Sequence, residues 1–495
     1  MNGKRHPVDR RLFLKSTAYS AVALATQTSG LGAPQAPAPP AKGPRKLVVV
    51  GAGIAGLSAA LTAREAGASV VVLERAPREE RGGNTRFSNG AIRAVSEPGT
   101  RGLTREQYLA DLEKVTQGRT DKALAQLVVD KSAETLKWLR GFGVVPYNPK
   151  AGTWNQGAAI SDVLFAAAEE HGVDIQYESR AVSLIEGEDG IRGVRVARGR
   201  RRVEITGDAV LLAAGGFEAN PQWRAAYLGP GWDLAKVRGS RFNTGDGLRM
   251  ALDAGAMPYG HWSGCHTTNW DMNAPDQNDL ALTTVFKRDS FNYGIIVNQR
   301  GERFLDEGED LSGLIYAKLG AIVMAQPGRV AWQIFDSKSI PLLPPEYHAK
   351  ESTRVTANTL PELVKKLDGI NQERFLATVA EYNASIRKDV PFNQSVKDGR
   401  STTGLAVPKS NWATAIDEPP FEAYGVTTGI TFTFGGVRVD LNARVLDADG
   451  KVIPGLYAAG EMVGGLFYFN YPGGSGLSSS AVMGRVAGAT ATESM

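Results

Sequence analysis

Three glycines in Gly51-Ala-Gly53-Ile-Ala-Gly56 stand where a backbone can hold a diphosphate. The flanking residues are those such chemistry requires. Lys46 to Val50 is an apolar, β-branched run, read as a strand buried on both faces, and Leu57 to Ala66 reads as a helix. A second apolar run, Ser69 to Leu73, ends on Glu74, 18 residues beyond Gly56. In such a unit Gly51 permits the tight turn, Gly53 lets backbone N–H groups approach a pyrophosphate, and Gly56 lets the helix pack on the strand. The helix N-terminus favours the phosphate charge. Glu74 can accept hydrogen bonds from a ribose diol. Ala52, Ala55 and Arg75 flank these positions and are expected at the same site. The chemistry is dinucleotide binding.

Two later glycine-rich pieces favour FAD over NAD. Val210-Leu-Leu-Ala-Ala-Gly-Gly216 and Gly455-Leu-Tyr-Ala-Ala-Gly-Glu461 each read as a buried strand meeting a turn, the second some 400 residues after the first motif. A long, extended cofactor needs such a return of the C-terminal chain to its ring. Ala214, Gly215 and Gly216 are expected on one side of it, and Gly460 and Glu461 on the other. Ser475, Gly476, Leu477 and Ser478 open a helix whose N-terminus can place partial positive charge beside the pyrimidine of a flavin.

The remaining composition is permissive. The chain has 495 residues, 42% hydrophobic and 22% charged, with 57 glycines, and its length suggests more than one structural unit. Its formal charge of +4 arises in residues 1–42, which carry six basic side chains against Asp9; the remainder is within one charge of neutrality. Nothing basic is left over to suggest nucleic acid. No apolar run reaches the roughly 18 residues of a spanning helix. Cys265 is the only cysteine, so an internal disulfide, an iron–sulfur cluster and a c-type haem are excluded, and no metal site is expected. Electrons must therefore pass to a separate partner: a cytochrome, an iron–sulfur protein or a quinone-linked subunit.

Asp9-Arg10-Arg11-Leu12-Phe13-Leu14-Lys15 matches the twin-arginine export pattern, followed by a mildly apolar stretch and a proline- and alanine-rich tail. Residues 1–42 are read as a removable signal and linker, which implies a periplasmic protein exported already folded.

The segments LTAREAGASVVVLE, RGGNTRFSNGAIR, LLAAGGFEAN, RGSRFNTGDGLRMALDAGA, VNQRGERFLDEGED, GITFTFGG and AAGEM carry a resemblance. On them, the chain from about Lys46 onward resembles the fumarate reductase and succinate dehydrogenase flavoprotein superfamily, and within it the tricarballylate dehydrogenase subgroup. The resemblance implies an α/β fold: a Rossmann-like FAD-binding domain, residues 43–256 and 424–495, with an α+β capping domain inserted at residues 257–423. It implies further cofactor contacts from Gly83, Asn84, Thr85, Ser88, Asn89 and Gly90, from Ala181 and Val182, and from Asp246. Some relatives attach FAD through a histidine where this chain has Asn84, so the flavin is expected to be noncovalent.

Other departures bear on the reaction. The arginine that donates a proton in fumarate reductases falls near Leu311, their second histidine at Phe432, and their carboxylate-binding arginine at Tyr471. These three losses argue against fumarate itself. His266 does match a substrate histidine, and Tyr471 resembles a tyrosine that polarises the carbonyl in 3-ketosteroid Δ1-dehydrogenases.

Dehydrogenation beside a carbonyl or carboxylate needs a hydride acceptor, a base, and a group that stabilises charge on the activating oxygen. Tyr471 is the expected electrophile. His266 is expected to bind a carboxylate or act as base, with Tyr316, Tyr468 and Arg288 as further candidates; Glu307 and Asp310 read as solvated or capping charges. Phe432, Phe434, Phe467, Tyr468, Phe469 and Tyr471 suggest an aromatic pocket for a small-molecule acid or a larger carbonyl compound. A reductase of an activated double bond, and a flavoprotein that only relays electrons, remain the alternatives.

Overall fold

The computed structural model describes residues 45–97, 99–100, 102–148 and 156–493. The twin-arginine segment and its reading as an export signal lie outside the described residues.

A six-stranded sheet organises the cofactor half. Its order is Arg444–Leu446, Val452–Ala458, Ala209–Leu212, Lys46–Val50, Ser69–Leu73 and Asp174–Gln176, parallel throughout except at the Arg444–Leu446 edge. Three of the four inner strands, Ala209–Leu212, Lys46–Val50 and Ser69–Leu73, are all but sealed from solvent, which explains their unbroken Val and Leu runs. The helices Ile54–Glu65 and Ser475–Glu493 pack together on one face of this sheet. A three-stranded antiparallel sheet, Arg180–Gly187, Gly190–Arg198 and Arg201–Thr206, covers part of the other.

The second large sheet is built on one 17-residue strand, Phe421–Val437. Its first half pairs with Ala331–Phe335 and Arg354–Ala357, and Ile295–Asn298 extends the sheet beyond Ala331–Phe335. Its second half pairs antiparallel with Pro258–Asp271, and at Gly429 and Ile430 in parallel with Lys236–Val237. The strand thus begins in the segment expected to form the cap and ends in the segment expected to return to the cofactor. The helix Ser312–Met324 lies on this sheet, held by Thr428 Oγ1 donating to Gly320 O at 2.7 Å and Ala321 N donating to Thr267 Oγ1 at 2.8 Å.

The register along Phe421–Val437 shifts between Ile430, opposite Thr267, and Phe432, opposite His266. The extra residue is Thr431, a bulge that turns its carbonyl and hydroxyl away from the ladder. Both groups reappear at the site.

Candidate active site

The carboxyl ends of four parallel strands empty into one cleft. Val50, Leu73, Ala213 and Gly460 stand at or just beyond those ends and line it, as expected of a doubly wound sheet. The cleft encloses about 2090 Å³ of empty space, part of it open to solvent, and continues to the second sheet at Phe432 and Phe434.

The first turn is built for a phosphate. Gly51 has φ +103°, and a Cβ there would lie 2.3 Å from Ala213 O. At Gly53 a Cβ would meet nothing nearer than Thr85 Oγ1 at 3.6 Å, so bare backbone faces open space. The N-cap residue of the helix Ile54–Glu65 is Gly53, which has no side chain to cap it. Its first amide, Ile54 N, donates to Thr85 Oγ1 at 2.9 Å. Glu74 is buried, with its carboxylate accepting from Ala52 N at 3.3 Å and Ala76 N at 2.8 Å. Burial pushes its pKa up against those backbone donors. Arg75 reaches Asp246 at 3.1 Å, and Arg180 grips the same carboxylate at 2.7 and 2.8 Å. Burial would raise the Asp246 pKa, but the Arg180 hydrogen bonds and the charges of Arg180, Arg75 and Arg249 hold it below the ordinary value. These walls fit the adenosine diphosphate half of FAD: uncapped helix amides, glycine backbone open to the cleft, and a buried acid at the ribose position.

Further along, Asn84 is a hub. Its Oδ1 accepts from Ser240 N at 2.8 Å, and its Nδ2 donates to Glu218 Oε1 at 2.8 Å and to the bulge carbonyl, Thr431 O, at 2.9 Å. Glu461 Oε2 lies 3.4 Å from the same nitrogen, and Glu461 Oε1 accepts from Thr433 N at 2.7 Å. Burial, followed by the charge of Glu461, pushes the Glu218 pKa well above the carboxylate range, and burial raises that of Glu461 as well. An asparagine so fully engaged, where covalent relatives carry histidine, is consistent with a flavin held without a bond.

The far end of the cleft is aromatic and carries the hydroxyl groups. Tyr316 and Tyr471 place their hydroxyls 2.6 Å apart. The loop that bears Tyr471 is clamped onto the start of the helix Ser312–Met324: Asn470 Nδ2 donates to Leu314 O at 2.6 Å, and Gly473 N to Gly313 O at 2.8 Å. Burial raises both tyrosine pKa values, Tyr316 the more strongly because Tyr471 adds to it, while the bond from Tyr316 lowers Tyr471. Either hydroxyl can be the donor of the pair; with Tyr316 donating, the Tyr471 hydroxyl proton is free to point into the cleft.

Lys287 and Asp289 line the same end and pair at 3.0 Å, with Asp289 Oδ1 buried and unbonded. Arg238 also lines it, donating to the bulge hydroxyl Thr431 Oγ1 at 3.1 Å.

Most of the expected cofactor residues line this cleft. Gly51, Ala52, Gly53, Ala55, Glu74 and Arg75 do so, as do Gly83, Asn84, Thr85, Ser88 and Asn89, with Ala181, Ala214, Gly215 and Asp246. The C-terminal return supplies Gly460, Glu461, Gly476 and Leu477. Behind the wall lie Gly56, packed on Gly51, Gly90 on Gln156, and Gly216 on Glu461, with the half-buried Val182. Ser475, which accepts from Tyr108 at 3.0 Å, and the buried Ser478 are behind it too.

The catalytic candidates divide. Tyr471 and Tyr316 come together in the cleft. His266 is sealed behind them: its ring stacks on Phe432 at 5.1 Å, meets Tyr471 edge-on at 4.8 Å, and neither ring nitrogen has a partner. Burial, then the charges of Arg238 and Lys287, drive its pKa well down, so it is neutral and cannot hold a carboxylate by charge. Arg288 does not line the cleft. It is fully buried in an ion pair with Asp271 at 2.9 Å, a structural role. Tyr468 stacks on His261 away from the cleft, and Phe469 is exposed, so Phe432, Phe434, Phe467 and Tyr471 form the aromatic lining. Glu307, read as a solvated or capping charge, is instead buried against Arg303, with Ile296 N donating to it at 2.9 Å. Leu311 is half-exposed and does not line the cleft, so no proton donor stands at that position.

Arg238, Lys287 and Asp289 are functional candidates absent from the sequence reading. Lys287 had no local pattern to mark it; Arg238 opens the RGSRFNTGDG segment, but nothing local shows that it turns into the cleft.

The chain matches the FAD binding domain family over residues 46–152 and 144–477. It is 30% identical over 473 residues to a probable fumarate reductase of Shewanella frigidimarina, covering 90% of this chain and 75% of that protein. It is 29% identical over 474 residues to a fumarate reductase (cytochrome) of the same species, covering 90% and 77%. Among solved structures it is similar to the open conformation of a flavocytochrome c3 fumarate reductase, with TM-score 0.72, 28% identity and coverage of 91% and 79%. The fold alone is shared with 3-ketosteroid delta1-dehydrogenase from Sterolibacterium denitrificans, at TM-score 0.72, 21% identity and coverage of 91% and 100%.

Proposed function

This chain belongs to the FAD binding domain family and is an FAD-dependent oxidoreductase of CH–CH groups, and from that premise we propose that it desaturates a carboxylic acid or carbonyl compound. The observation that carries the proposal is the 2.6 Å Tyr316–Tyr471 hydroxyl pair at the aromatic end of the cofactor cleft.

Bound in this cleft, FAD supplies the hydride acceptor. The protein does the rest. Tyr471, neutral because burial raises its pKa, donates to the activating oxygen of the substrate, and Tyr316 donates to Tyr471 from behind and fixes its direction. As negative charge grows on the substrate oxygen, both bonds strengthen. Asp289 is the acid on this wall with a buried, unbonded oxygen, and it is assigned as the acceptor of the substrate proton, oriented by Lys287 at 3.0 Å. Phe432, Phe434 and Phe467 exclude water from the reacting carbons. Electrons then leave to a separate carrier.

The fumarate reductases among the relatives favour a second reading, in which the same groups work in reverse on an activated double bond. Here Leu311 supplies no proton, so Asp289 or Tyr471 would have to. Anaerobic stopped-flow separates the two. A saturated acid or ketone that bleaches the oxidised flavin supports desaturation. An enoate or enone that restores colour to the dithionite-reduced protein, with no bleaching by its saturated partner, overturns it.

A further inference from the structure

Four arginines are buried among the described residues: Arg224, Arg238, Arg288 and Arg303. Three have their charge met by protein carboxylates or carbonyls. Arg288 meets Asp271, and Arg303 meets Glu307. Arg224 donates to the carbonyls of Glu218, Trp232, Asp233 and Ala235. Arg238 is the exception. It is 6% exposed, its side-chain bond among the described residues goes to a neutral hydroxyl, Thr431 Oγ1, its Nε has no partner, and no described carboxylate pairs with it. A buried cation without an anion is costly unless something else completes it.

Its position says what that something meets. Arg238 follows the short strand Lys236–Val237, is pinned by its own N–H donating to Ile430 O at 2.8 Å and by Asn278 Nδ2 donating to its carbonyl at 2.7 Å, and lies with its guanidinium 5.9 Å from the Trp270 ring. It enters the cleft at the bulge, on the wall that also bears Tyr316 and Tyr471. The other cation there, Lys287, already has Asp289.

We propose that Arg238 is the specificity-determining residue of the substrate pocket, anchoring a single carboxylate of an acid whose carbon body is apolar. This rests on the reading of the Tyr316–Tyr471 end as the reaction site. One unpaired cation facing a lining of Phe432, Phe434 and Phe467 suits a monocarboxylate, not a tricarboxylate, whose second and third charges would meet aromatic rings and a Lys287 already paired with Asp289.

The test is isothermal titration of the FAD-loaded protein with 3-phenylpropanoate, cinnamate and cyclohexanecarboxylate, each against its primary amide. The wild type is expected to bind at least one acid about 10- to 100-fold more tightly than its amide. Arg238→Met brings the two together, and Arg238→Lys restores part of the difference. A wild type that binds none of the acids more tightly than its amide overturns the proposal and needs no variant. So does an Arg238→Met protein that keeps the acid preference, or one that releases its flavin where the wild type holds it, since the guanidinium then serves the cofactor. Failure here is distinct from failure of the desaturation reading. Acid preference without flavin bleaching sinks the latter alone, and bleaching by neutral ketones without acid preference sinks the former alone.

Discussion

Tyr316 and Tyr471, 155 residues apart in sequence, share a hydrogen bond of 2.6 Å between their hydroxyls. Because the loop bearing Tyr471 is itself bonded to the first turn of the helix bearing Tyr316, the pair is rigid before any substrate arrives. Preorganised donors need no rearrangement when charge develops, and that is the property that lowers a barrier.

Tyr471→Phe is expected to lower the rate of flavin reduction by about 10²- to 10³-fold, the usual cost of one donor to a developing oxyanion. Tyr316→Phe should cost less, about 10-fold, since it removes only the second bond. Both proteins should keep their bound flavin. Rapid-mixing kinetics check the rates and absorbance checks the flavin. Burial raises both phenols above the ordinary 10, so the wild-type rate should hold its plateau to at least pH 10 before an alkaline fall. An alkaline limb centred well below that would remove Tyr471 from its role.

Gly51→Ala and Gly53→Ala should fail differently. The first drives a Cβ to 2.3 Å from Ala213 O at a positive φ, so it is expected to prevent folding or lower the melting temperature of the apoprotein steeply. The second has φ −74° and clear space, so the apoprotein should melt as the wild type does while FAD binds about 10-fold more weakly. Differential scanning fluorimetry with and without FAD distinguishes them; equal apoprotein melting points would contradict the packing at Gly51.

Glu218 gives a pH signature. Its folded pKa lies well above the unfolded 4.5, so between those values the unfolded chain releases a proton that the folded one keeps. Stability is therefore full at acid pH and falls as pH rises, by about 1.4 kcal/mol for each unit of the shift. Glu218→Gln keeps an oxygen for Asn84 and Asn243 and removes the titration. It should be the more stable protein at pH 8, with the two melting curves converging near pH 4.5. Parallel curves across that range would show that Glu218 does not titrate as placed.

Export is tested by Arg10→Lys with Arg11→Lys. Cells carrying this pair should retain the flavoprotein in the cytoplasm, whereas the parent sequence delivers yellow protein to the periplasmic fraction. Undiminished periplasmic delivery of the double variant would end the twin-arginine reading.

The cofactor half was legible because its determinants are local. Gly51 to Glu74 form one strand–turn–helix–strand unit, whose glycine spacing and apolar runs obey backbone geometry that holds in any context. The return of Gly460 and Glu461 to the same cleft could be read for a similar reason: parallel strands end on the same side of a sheet.

The reaction end was not legible in that way. Arg238 and Arg288 are the same residue type 50 positions apart, and nothing in their neighbours told them apart; Asp271 meets one and, among the described residues, no acid meets the other. His266 matched a known position, yet the register of Phe421–Val437 stacks Phe432 over it and seals it from the cleft. Which charge is paired and which side chain is covered depend on strands and helices brought together from residues 236 to 473. Local sequence dictates how a backbone turns; burial and pairing are decided by whatever else the fold brings alongside.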